Sequence, residues 1–192
     1  MVAKAKSTDR TSGQVERNTG FDAGAAGGGT FHFECYDKDG NLKWKDSAKN
    51  LVTNQGLQDM NTKYFKGSAY TAAWYLGLVN ASPTPSYAAG DTMASHAGWV
   101  ETTAYSGSTR GTVTFGTATT ASPSVIDNSS SQASFSITGT VTVAGAFLTA
   151  TQDNSTNTGV LFSVAAFEAP GDRSVVSGDT LTVTYTFSLD AA

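Results

Sequence analysis

Residues 179–189, DTLTVTYTFSL, set Leu181, Val183, Tyr185 and Phe187 in strict alternation with Thr180, Thr182, Thr184 and Thr186. A period of two is the repeat of a β-strand, here with one apolar face and one face of hydroxyls. A chain carrying such a segment must place it in a sheet that covers a core on one side. The composition points the same way. Only 15% of the residues are charged, against about 25% in average domains, so Ser, Thr, Gly and Ala must supply much of the surface. That suits strands better than amphipathic helices, which need Glu, Lys and Leu at helical spacing.

Further strand-like runs are RGTVTFG, ASFSITG, TVTVAGAFLTAT and GVLFSVAAFEA, each bounded by Gly, Asn, Ser, Asp or Pro. The alternation of Val141 and Val143 breaks near Gly145, which predicts a bulge or bend. TFHFECY and LKWKD flank DKDGN, an Asp-Gly hairpin signal, with Phe31, Phe33 and Cys35 on one face and His32, Glu34 and Tyr36 on the other. AAWYLGLV has no clearly polar face and reads as a fully buried strand, closed by the proline pair of NASPTPSYAAGD. NLVTNQGLQDMNTKYF offers a single short helix with Leu57, Met60, Tyr64 and Phe65 as its apolar stripe. The expected fold is all-β: an antiparallel two-sheet β-sandwich, jelly-roll-like, with one short helix.

Residues 1–29 have no hydrophobic period, and the glycines between Gly20 and Gly29 argue against a stable helix or strand there. They are expected to form a flexible, Gly-rich N-terminal arm ahead of a β-sandwich domain at 30–192. Charge is uneven: residues 1–66 hold ten basic against eight acidic residues, and residues 67–192 hold two against eight. The slight basic excess suits contact with an acidic surface and falls far short of the dense Lys/Arg face that nucleic acid requires, so no nucleic-acid partner is expected. No apolar run reaches the length of a signal peptide or a membrane span, which predicts a chain made in the cytosol with no membrane partner.

No catalytic or cofactor motif emerges. Cys35 is the single cysteine, and with His32 and His96 it completes the set of thiol and imidazole groups, too few and too poorly spaced for a transition-metal site. DKDGN begins like a calcium loop, but the sixth place is Leu42 and the twelfth Ala48 where Gly and Glu belong. There is no nucleophile elbow, and GAAGGG is followed by no lysine. Ser95 beside His96 gives no dyad, because chain neighbours point apart; His96 would need a distant hydroxyl with Asp91 or Asp127 behind it. Glu34, Asp91, Glu101 and Asp127 could in principle supply a glycosidase pair, yet nothing singles any of them out. The expectation is that there are no catalytic residues, no cofactor and no metal, and that the chain is not an enzyme.

Trp74-Tyr75-Leu76-Gly77-Leu78, the segment Asp91–Trp99 and Ser177-Gly178-Asp179-Thr180-Leu181 together resemble a family of small virion structural proteins of tailed bacteriophages. The likeness extends from YDKDGNLKWKDSAKNLVTNQGL through AGAFLTA and GVLFSVAAFEA, covering roughly residues 30–189. It implies a capsid decoration (cement) protein that binds the outer surface of the major capsid protein and stabilises the shell. The alternative is a head, collar or tail-fibre appendage that binds a host receptor or glycan, with Tyr87, Trp99 or Tyr105 as an aromatic platform if exposed. The first reading implies localisation on the virion, a homo-oligomer with a trimer favoured, and Lys4, Lys6, Arg10, Val15, Arg17 and Phe21 of the arm as candidate contacts with capsid or neighbouring subunits. Asp91, His96, Trp99, Glu101 and Arg110 are then structural. Asp91 or Thr92 would cap a brief helical turn ended by Gly98, Trp99 would enter the core, His96 would shape the loop, and Glu101 would pair with Arg110.

Overall fold

The computed structural model describes residues 26–70, 72–167 and 171–190. Among them the strands are β1 (Ala26–Tyr36), β2 (Leu42–Lys49), β3 (Leu51–Val52), β4 (Trp74–Asn80), β5 (Glu101–Thr102), β6 (Gly111–Val113), β7 (Ser124–Asp127), β8 (Ala133–Ser136), β9 (Val141–Thr149), β10 (Leu161–Ala166), β11 (Arg173–Val175) and β12 (Thr180–Asp190). The helix α1 spans Asn54–Tyr64. All strand pairs are antiparallel. A five-stranded sheet runs β2-β1-β12, with β7 and β8 side by side along the far edge of β12. A seven-stranded sheet runs β3-β10-β9-β4, with β11 also on β9 and with β5 and β6 sharing the outer edge of β4.

Alternation positions the first sheet as expected. Leu181, Val183 and Tyr185 turn inward with Phe31, Phe33 and Cys35, while His32 is exposed and Thr180, Thr182 and Thr186 are half-buried on the other side. They meet Leu76, Leu78, Val143, Ala146, Leu148 and Phe162 of the second sheet in one core. The hairpin β1–β2 is closed by Asp37, whose Oδ1 accepts the N–H groups of Asp39 (2.9 Å) and Asn41 (2.8 Å). The predicted interruption near Gly145 is a bulge: β4 pairs Val79 with Gly145 and then Asn80 with Val143, leaving Ala144 unmatched.

The second sheet is buried on both faces. Its inner face meets the first sheet. Its outer face carries Val79, Ala144, Phe147, Leu161 and Val164, which form a second core with Met93 and Trp99 of the loop 81–100. Burial on both sides explains why β4, β9 and β10 are buried over consecutive residues while β12 begins in alternation.

Two expectations are corrected. The glycine run does not keep residues 26–29 out of a strand, since they pair with Phe187–Asp190 of β12 and β1 starts at Ala26. A ladder needs only backbone groups, and the long partner strand supplies them. Residues 1–25, with the candidate contacts Lys4, Lys6, Arg10, Val15, Arg17 and Phe21, lie outside the described residues.

The second correction concerns α1. Thr53 caps it, its Oγ1 accepting from Gly56 N at 3.0 Å and donating to the carbonyl of Leu161 at 2.5 Å, which fixes the helix start against β10. Gly56 is then the point of closest approach, where a Cβ would collide with the carbonyl of Phe162. The inward positions are therefore Gly56 and Met60, and not the expected stripe. Of Leu57, Met60, Tyr64 and Phe65 only Met60 packs on the core, and the other three are exposed.

Gly56→Ala tests this contact with a sign opposite to helix propensity. In a free helix the substitution helps by about 1 kcal/mol; here the clash should destabilise the protein by roughly 1–3 kcal/mol, read as a lower denaturant midpoint.

Candidate functional site

The segment richest in reactive side chains, residues 91–110, begins in the loop that covers the outer face of the second sheet and runs on into its edge strand β5. Its first part is a tight reciprocal turn and not the expected helical one. Thr92 N donates to Ser95 O (3.0 Å), Ser95 N returns to Thr92 O (3.1 Å), and Thr92 Oγ1 also accepts from Ser95 N. The threonine side chain and the mutual backbone pair satisfy these groups locally, so no helix begins.

Asp91 Oδ2 accepts from Ala88 N and from the indole N–H of Trp99, both at 3.0 Å. Trp99 is 1% exposed and lies against Phe147 with ring centroids 5.0 Å apart. His96 stacks on Trp99 at 3.9 Å, with its Nδ1 3.1 Å from the Trp99 carbonyl oxygen. The loop thus wraps its own tryptophan, using a carboxylate for the one polar atom of the indole and an imidazole for its open face.

Glu101 opens β5 beside β4, and Arg110 precedes β6 on the same strand. The expected pair forms and is bidentate: Arg110 Nε to Glu101 Oε1 at 2.9 Å and Nη2 to Oε2 at 2.7 Å. Arg110 is 1% exposed and donates further to the carbonyls of Thr151 (2.9 Å), Asp153 (2.8 Å) and Thr156 (3.1 Å). All five guanidinium N–H donors are matched inside the protein. The group also lies over the Phe147 ring, 5.4 Å from its centroid. Burial raises the Glu101 carboxyl above its ordinary value of 4.5, and the hydrogen bonds and charge of Arg110 oppose that shift. Gly77 makes room for the arrangement, because a Cβ there would meet the Phe147 ring and lie 2.9 Å from Glu101 Oε1.

The possible catalytic groups are each engaged by other partners. Glu34 binds Lys45 and Tyr36 (each 2.5 Å), and Asp127 binds the backbone and hydroxyl of Ser129 at 2.8 and 2.6 Å. Asp91 serves Trp99 and Glu101 serves Arg110. His96 is occupied by Trp99. Among the described residues no group of three or more His, Cys, Asp or Glu side chains could hold a metal ion. The suggested aromatic platform is enclosed as well: Trp99 and Tyr105 are buried, and Tyr87 packs half-buried against the second core. Burial pushes the Tyr105 phenol up to about 12.

Two buried polar centres escaped the sequence reading. Asp179 lies at the start of β12, and its Oδ2 accepts from Val176 N at 2.9 Å, from the Lys43 ammonium, and from the Cys35 thiol at 3.8 Å. Burial and the Asp179 charge push the Cys35 thiol up to about 11. Asn128 is fully buried; its Oδ1 accepts from Tyr185 N at 2.7 Å and its Nδ2 donates to Ser131 O at 3.2 Å. Asp179 stands in the motif Ser177–Leu181, directly before an alternating strand, but neither position marks its carboxylate as buried. Asn128 had no signal, because it looks like any other member of a polar loop.

Arg110→Met should lower stability by roughly 3–5 kcal/mol, since it leaves Glu101 buried without its partner. Arg110→Lys should also fall clearly below the wild type, because an ammonium keeps the charge but cannot present five planar donors to four acceptor groups. Denaturant unfolding checks both, and a lysine variant as stable as the wild type would show that charge alone suffices. Comparisons with protein-family models, curated proteins and solved structures find no match for this chain.

Proposed function

We propose that this chain is a non-enzymatic virion structural protein, a decoration protein that binds the outer surface of a major capsid protein shell and stabilises it. The observation that carries the reading is the internal use of the 91–110 constellation. Its carboxylates, imidazole, indole and guanidinium all bind one another or nearby backbone. The motifs behind the phage resemblance have the same character: Trp74–Leu78 lies in β4, Asp91–Trp99 is the cover, and Asp179 braces the turn into β12. They are framework residues, as expected when a family shares a scaffold and not a reaction.

What faces outward is surface. The first sheet presents His32, Thr180, Thr182 and Thr186, and the grooves beside Tyr75 and Phe65 are shallow and open. Broad, weak contacts of this kind suffice when many copies bind one shell together. In this reading the sandwich is jelly-roll-like, the subunits form a symmetric cluster with a trimer favoured, and the basic arm residues Lys4, Lys6, Arg10 and Arg17 face the shell. No described helix is long and apolar enough to cross a membrane.

Gold-tagged antibody against the protein, applied to intact particles of the phage that encodes it, should label the whole head, with a quantitative gel giving tens to hundreds of copies per particle. Label confined to the neck or tail tip would overturn the decoration role in favour of an appendage.

A further inference from the structure

Tyr75 stands apart from the other rings of the second sheet. It lies two and four residues along β4 from Gly77 and Val79, so it shares their outer face. The cover over that face does not enclose it. Tyr75 belongs to neither hydrophobic core, whereas Trp74, its neighbour in the chain, packs on the inner one. Its partners across the sheet are Thr149 and Thr112. The half-buried ring lines an open groove of about 630 Å³ together with Ser108, Thr109, Gln152 and Asp153.

These residues stand on backbone that is already fixed. Arg110 N donates to Gln152 O at 2.8 Å, Asn154 N donates to Ser108 O at 3.2 Å, and Thr109 is bridged to Asp153, so 108–110 and 152–154 form a short antiparallel ladder. The buried Arg110 guanidinium binds the Thr151 and Asp153 carbonyls at 2.9 and 2.8 Å. The side chains along the ladder are unspent by contrast. Ser108, Thr109 and Gln152 are exposed. Asp153 Oδ1 accepts from Ser155 N and Oγ at 2.8 and 2.7 Å, but neither Asp153 Oδ2 nor the Gln152 amide has a hydrogen-bond partner among the described residues.

A ring face beside fixed donors and acceptors that the fold does not use suits a ligand with one apolar face and many hydroxyls. A sugar ring has that form, with C–H groups on its face and hydroxyls at its edge. Charge narrows the class. Asp153 is the one charged side chain among the described lining residues, and Arg110 has no donor left for an anion. Phosphate, sulfate and acidic sugars are therefore disfavoured.

We propose that the groove between Tyr75 and the 108–110 and 152–154 ladder binds a neutral sugar unit of a glycan chain, stacked on Tyr75 and hydrogen-bonded by the Gln152 amide and Asp153 Oδ2. The site is separate from Tyr87, Trp99 and Tyr105, which pack inside the protein. One such contact is weak, with Kd about millimolar, and many copies on one particle would multiply it. The inference goes beyond the decoration role and does not rest on it.

Titration of the isotope-labelled full chain with maltotriose, mannotriose, lactose and tri-N-acetylchitotriose, followed by NMR, tests this. At least one sugar should saturably shift the amides of residues 108–110 and 150–153 and the side-chain amide of Gln152. Gln152→Ala, at an exposed position that the fold does not use, should weaken binding about tenfold, and Tyr75→Ala should abolish it. No saturable shift with any of the sugars would overturn the proposal. Shifts centred elsewhere, unchanged binding by Gln152→Ala, or equally tight binding of N-acetylneuraminic acid would do the same. The label on intact particles decides the decoration role separately.

Discussion

Arg110 is the constraint on which the outer half of this protein depends. A guanidinium removed from water must find partners for its donors, and this one finds them in Glu101 and in three carbonyls of the 151–156 loop. One side chain thereby fixes the exit of the 91–100 cover, the approach to β6 and the loop between β9 and β10. The hydrogen bonds from Arg110 N to Gln152 O and from Asn154 N to Ser108 O run beside it and hold the same loops in register. The ion pair specifies which loops meet; the apolar core beneath supplies most of the stabilisation.

That arrangement follows from a sheet with two buried faces. A sandwich of two sheets ordinarily leaves both outer faces to water, and the first sheet here does so with threonine, histidine and charged side chains. The second cannot, because Phe147, Leu161 and Val164 point outward. A loop must cover them, and a loop brings polar backbone and side-chain groups that have to be matched. Asp91, His96 and the Glu101–Arg110 pair do that matching. The cluster that looks most like a reactive centre in the sequence is a consequence of covering hydrophobic surface with a loop.

Much of the fold was legible. The period of two in β12 and β1 gives both their conformation and their inward faces, and the break near Gly145 marks a bulge that is present. The pairing of Glu101 with Arg110 could be anticipated because Arg110 is the only base between Lys66 and Arg173. The strands β3, β5, β7 and β11 were not foreseen. At two to four residues they are too short to show a period, and they exist only because a longer neighbour offers a ladder. The inward face of α1 was misjudged because hydrophobicity predicts the packed stripe only when side chains set the contact. Here a glycine does, since backbone meets backbone at Phe162 and the helix turns to bring Gly56 inward.

The central claim, that residues 91–110 form a fixed part of the fold, is tested most directly by exchange of the Trp99 indole N–H, followed by NMR in deuterated buffer. Bound to Asp91 and sealed by His96 and Phe147, this proton should exchange only through global unfolding, as slowly as the slowest amides of β9. Exchange orders of magnitude faster than those amides would show that the segment opens independently while the sandwich stays folded, and would contradict the account.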